Sequence, residues 1–115
     1  MERKSLEALM EDYRVAASAT QETREPRFQR RWFRRLHTTY KSLREDVEGR
    51  AILRLLMNDP DSHVRLWAAS HCLAWWPEEA RAELERLRDG GGPGSFEADW
   101  TLREFIRGTL TFDFK

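Results

Sequence analysis

Between Pro26 and Val47, the residues Phe28, Trp32, Phe33, Leu36, Tyr40, Leu43 and Val47 fall in a single arc when the chain is wound at 100° per residue. Arg27, Arg30, Arg31, Arg34, Lys41 and Arg44 fall outside that arc. A strand alternates its side chains every two residues and cannot gather this set on one face; an α-helix can. Pro26 is a favoured first-turn residue, because its missing N–H would have no partner there in any case. This segment is the clearest periodic pattern in the chain, and no segment sustains a period of two over the length of a paired strand.

The same spacing continues on both sides. Leu6, Leu9, Met10, Tyr13, Ala16 and Ala17 form one stripe of a first helix ending around residues 20–25. Gly49 reads as a break, followed by a short helix from Arg50 to Met57. Asn58-Asp59-Pro60-Asp61 reads as a tight turn, with Asp61 or Ser62 capping the next helix. That helix, about His63 to Trp76, is apolar nearly all round, as expected of an element with neighbours on several sides. A fifth helix starts at Pro77-Glu78-Glu79, where the helix dipole favours carboxylates, and ends near Asp89. Gly90 to Gly94 is a loop, Ser95 caps a sixth helix, and Gly108 ends it. Leu110 to Phe114 alternates apolar and polar residues and reads as a short extended segment lying on the core. Short links between successive helices imply antiparallel neighbours in a right- or left-handed array. One domain covering residues 1–115 is expected at this length.

Composition narrows the function. The 20 basic and 20 acidic side chains cancel, so overall charge gives no general attraction to nucleic acid or membrane. The longest nearly apolar stretch, Leu66 to Trp76, is shorter than the ~17–25 residues that span a bilayer. The single cysteine, Cys72, lies inside it and reads as a buried thiol. A cytoplasmic protein is expected.

Motifs for chemistry are incomplete. Gly90 to Gly94 lacks the Lys-Ser/Thr of a phosphate loop and follows no strand. His63 and His71 are eight residues apart, not the four that place two metal ligands on one helical face. Ser70 and His71 are adjacent, and adjacent helical residues do not face each other. Asp59 and Asp61 lack the glycine and terminal glutamate of a calcium loop. Trp67, Trp75 and Trp76 at helical spacing read as core. No catalytic residue, metal or cofactor is expected, and the protein is not expected to be an enzyme.

Leu53, Leu55, Leu56, Asp59, Asp61, Val64, Arg65, Ala68, Ala69 and Leu73 run in the order apolar helix, Asp-containing turn, Val-Arg, small residues, Leu. That order resembles a HEAT-type repeat, in which the Arg is mostly structural. With the Gly-rich loop, Ala98 to Glu104 and Gly108, residues 50–110 resemble a short bacterial domain-of-unknown-function family, family 2019. The resemblance implies an all-α, HEAT-like α-α superhelix, a right-handed stack of five to six antiparallel helices, with grooves for partners and no known activity.

The arginine face is the feature that points to a partner. From Arg24 to Arg44 there are eight basic residues against Glu25 alone, a local charge of +7 that the rest of the chain balances. Solvated helix faces usually mix signs. Arg27, Arg30, Arg31, Arg34, Lys41 and Arg44 are therefore the candidate partner-binding residues. They are expected to meet an acidic protein surface, as an adaptor or an immunity-type, toxin-neutralising protein would. Acids such as Glu78, Glu79, Glu83 and Glu85, in this chain or across a homo-oligomer, are the other way to balance them. DNA binding through the same helix is the alternative, against which stand the neutral total charge and the lack of a groove-reading motif.

Overall fold

The computed structural model describes residues 4–23 and 25–112. They form six helices: α1 (Leu6–Glu22), α2 (Pro26–Arg44), α3 (Val47–Leu56), α4 (Ser62–Cys72), α5 (Pro77–Gly90) and α6 (Ser95–Arg107). No strand occurs among the described residues, so the chain is all-α. It divides into two compact units, Met1–Leu53 and Arg54–Lys115.

In the first unit α1 packs along α2. Ser5 caps α1 by accepting a hydrogen bond from the Ala8 N–H at 3.1 Å, satisfying one of the free donors of the first turn. The contact surface is the periodic stripe: Tyr13, Ala16 and Ala17 from α1 and Leu36, Tyr40 and Leu43 from α2 are buried. Alanines at positions 16 and 17 let the two backbones approach closely.

Gly49 does not break the chain, and Val47 does not join the α2 stripe. The break in the chain lies at Glu45-Asp46, and Gly49 sits inside α3. Asp46 caps α3 by accepting the Gly49 N–H at 2.8 Å, so the helix begins before the glycine. Gly49 is required for another reason: a Cβ there would lie 1.9 Å from the Leu43 carbonyl oxygen. Val47, counted in the α2 arc, is the first residue of α3 and is 75% exposed; the turn at residues 45–46 takes it off the stripe.

In the second unit α4 packs against both α5 and α6, and α5 packs against α6. Asp61 caps α4, accepting the N–H groups of His63 (2.8 Å) and Val64 (3.4 Å). Val64, Leu66, Ala68, Ala69, Ser70, His71 and Cys72 are all buried, as an element apolar on most sides requires. The helix ends at Cys72, before the expected Trp76. Pro77 keeps Trp76 out of the helical region (φ −134°, ψ 66°), and the Trp76 N–H closes the turn on the Cys72 carbonyl at 2.8 Å. Trp75 and Trp76 are half-buried.

Ser95 begins α6 and Gly94 (φ 88°) is its cap, so the serine does not serve as expected. Gly91 (φ 67°) and Gly108 (φ 76°) end α5 and α6 in the left-handed conformation that glycine adopts without strain. Residues 109–112 are neither helix nor strand. Phe112 lays its ring edge against buried His71, centroids 4.7 Å apart. The remainder of the alternating tail, Asp113 and Phe114, lies outside the described residues.

Candidate protein-binding face

Helix α2 has an apolar stripe held by α1 and an outer face made of arginine. Arg27, Arg30, Arg31 and Arg34 are exposed, as is Arg35. Lys41 and Arg44, also predicted for the face, are half-buried. Arg44 lies over the Tyr40 ring at 5.1 Å and donates to its hydroxyl at 3.5 Å. Its carbonyl accepts the Arg50 Nε–H at 2.9 Å. The outward face is therefore concentrated in the first three turns of α2. Arg24 lies outside the described residues.

Aromatic rings brace two of these guanidinium groups. Arg27 lies 5.0 Å over Phe28 and Arg35 5.3 Å over Trp32. Such stacking fixes the long side chains without neutralising their charge. Among the described residues, no carboxylate lies in ion-pair distance of Arg27, Arg30, Arg31, Arg34 or Arg35. Two of the four acids expected to be available for balance, Glu79 and Glu83, are engaged elsewhere. Glu79 pairs with Arg54, and Glu83 with Arg65 and Arg86. The Glu79 carboxyl is held below its ordinary pKa by its hydrogen bond to Arg54.

Beside the arginines, α1 and α2 enclose a shallow groove of about 290 Å³, lined by Lys4, Asp12, Val15, Trp32, Arg34, Arg35, Thr38 and Thr39. A second depression of about 230 Å³ shares Lys4, Asp12, Thr38 and Thr39 and extends to Ser42 and Glu45. Lys4 and Asp12 face each other across it at 2.6 Å. The Thr39 hydroxyl turns inward to the Arg35 carbonyl at 2.8 Å. Of the groove residues, the sequence marks Arg34 and Arg35 as part of the basic run, and nothing in it signals Lys4, Asp12, Val15, Thr38 or Thr39. Trp32 had been assigned wholly to the stripe, and the Lys4–Asp12 pairing spans two turns of helix, which no short motif signals.

The residues weighed for chemistry fall apart in space. The Ser70 hydroxyl donates to the Leu66 carbonyl at 2.7 Å, while the His71 ring lies against Trp67 (5.8 Å) and Phe112 (4.7 Å). His63 Nδ1 lies 3.7 Å from Asp61 at the helix cap. Cys72 is fully buried, and loss of solvation pushes its pKa up to about 12, so the thiol stays protonated. Among the described residues no three His, Cys, Asp or Glu side chains converge on a metal-sized site, and no helix is long and apolar enough to cross a membrane.

No protein-family model matches the chain, and no curated protein does. Its fold is similar to that in the crystal structure of the protein RPA1889 from Rhodopseudomonas palustris CGA009. The TM-score is 0.85 at 23% sequence identity, over 95% of this chain and 94% of that one. A likeness at this identity establishes the shared helical fold and carries no statement of activity.

Proposed function

We propose that this chain is a non-catalytic binding module whose α2 arginine face docks on an acidic protein surface, in the manner of an adaptor or immunity-type protein. The observation that carries the proposal is the cluster Arg27, Arg30, Arg31 and Arg34, exposed and without a carboxylate partner among the described residues. Arginine suits this use because its planar fork makes paired hydrogen bonds to carboxylates and is weakly hydrated. Ring stacking of Arg27 and Arg35 lowers the entropy lost when a partner arrives. Arg65, by contrast, donates to the Asp59 and Pro60 carbonyls and is occupied within the fold.

A salt titration separates this proposal from DNA binding. On a short arbitrary duplex, four phosphate contacts would give a log–log slope of about −4 between binding constant and salt. The proposal expects no measurable duplex binding near physiological salt and retention of an acidic protein from the native cell under the same conditions. Duplex binding with that slope, lost in the Arg30→Glu/Arg34→Glu variant, would replace the protein partner with nucleic acid.

A further inference from the structure

Helix α6 carries a second unpartnered face, distinct from α2. Phe96 is 77% exposed and Trp100 54%. The Arg103 and Arg107 side chains are each 67% exposed. Ala98, Thr101 and Leu102 on the opposite side of the helix are buried. Two large aromatic rings held in water on one helix are an interaction surface, because monomers rarely leave such area uncovered.

The order of residues identifies the occupant. Phe96 precedes Arg103, and Trp100 precedes Arg107, by seven residues, or about 10 Å along the axis. The aromatic half of the face is thus followed by a cationic half in the same stripe. A two-fold axis crossing α6 between residues 101 and 102 pairs position 96 with 107 and position 100 with 103. Each ring then meets a guanidinium of the other copy, and no arginine directly opposes another. Each guanidinium keeps its ion pair on its own helix: Arg103 with Asp99 at 2.9 Å and Arg107 with Glu104 at 3.7 Å. Its flat face remains open to a ring. The chain already uses this contact within itself, with Arg54 over Trp76 at 5.0 Å and Arg35 over Trp32 at 5.3 Å.

We propose that α6 pairs antiparallel with α6 of a second copy of this chain through reciprocal stacking of Phe96 and Trp100 on Arg107 and Arg103. A single face of a 13-residue helix is smaller than a standard interface of about 1,200–2,000 Å². The dimer is therefore weak, with a dissociation constant on the order of 10–100 µM, and the four ring–guanidinium contacts per dimer account for affinity of that order.

Sedimentation equilibrium of the full chain over a wide concentration range tests this. The mass rises from one chain toward two. Trp100→Ala and Phe96→Ala each weaken association about tenfold or more, and so does Arg103→Gln/Arg107→Gln. Arg30→Glu/Arg34→Glu leaves it unchanged, which separates this surface from the α2 face. All of these positions are exposed, so circular dichroism should confirm an intact fold in every variant. A mass of one chain at millimolar concentration overturns the proposal. So does a dimer that survives Trp100→Ala, or one that needs the rings and ignores Arg103→Gln/Arg107→Gln.

Discussion

Arg65 reaches from α4 to Glu83 on α5, its Nε 3.0 Å from Oε1, while its Nη1 donates to the carbonyls of Asp59 (2.7 Å) and Pro60 (2.9 Å). One guanidinium thus ties the turn before α4 to the helix after it. Glu83 is buried and also accepts from Arg86 Nε at 2.9 Å. Removing Arg65 leaves two carbonyls and half of a buried carboxylate without this donor. Arg65→Met should lower stability by about 2–3 kcal/mol, the range for hydrogen bonds to charged groups, with no change in helical content. Chemical denaturation followed by circular dichroism measures it; a change below ~0.5 kcal/mol would mean that the clamp is incidental.

Gly49→Ala should be among the most damaging single changes in the first unit. The new methyl would meet the Leu43 carbonyl oxygen at 1.9 Å, and backbone cannot swing aside as a side chain does. We expect a loss of about 3 kcal/mol or more, at the upper end for overpacking. An unchanged denaturation midpoint would show that the turn at Glu45-Asp46 relaxes freely.

Ala68 and Ala69 have no exposed surface. Ala68→Leu should cost about 1–3 kcal/mol through strain on α5 and α6 packing. Thermal melting provides the comparison, and a melting point equal to that of the parent chain would contradict close packing of α4.

Cys72 links stability to alkaline pH. Burial raises its folded pKa to about 12, above the 9.0 of a free thiol. The unfolded chain therefore loses the thiol proton first as pH rises. The stability contribution is complete below pH 9 and is lost progressively between 9 and 12. Its slope approaches ~1.4 kcal/mol per pH unit in that window. Cys72→Ala should flatten the alkaline limb of the stability profile relative to the parent chain. Identical limbs would show that the thiol ionises equally in both states.

Much of this architecture was legible in the residues, and the misreadings have physical causes. The stripe from Trp32 to Leu43 and the apolar α4 were readable because burial imposes a 3.6-residue period, whereas Phe28, counted with the stripe, is exposed. Pro26 and Pro77 marked helix starts, and the Gly90–Gly94 run and Gly108 marked ends, because their backbone preferences act locally. Gly49 misled because close approach to Leu43 depends on tertiary contact, and a glycine that avoids a clash looks in sequence like one that ends a helix. The arginine face was visible as unmixed charge. Its limits were not, because Arg44 turns onto Tyr40 and Lys41 becomes half-buried through packing that periodicity alone does not encode. The aromatic face of α6 was missed because Phe96 and Trp100 have the same helical spacing as core residues.

The proposed docking face for an acidic protein occupies the first three turns of α2. Its most direct test is quantitative co-purification from native cells, comparing the tagged parent chain with Arg30→Glu/Arg34→Glu. Glu and Arg have similar helix propensity, and both sites are exposed, so circular dichroism and denaturation midpoint should be unchanged. Like charges brought together across an interface cost several kcal/mol, so recovery of the partner should fall at least tenfold, with slower association of the purified pair. Undiminished recovery of the same partner, or a double reversal that lowers stability while leaving binding intact, would contradict the claim and identify the face as a structural charge surface.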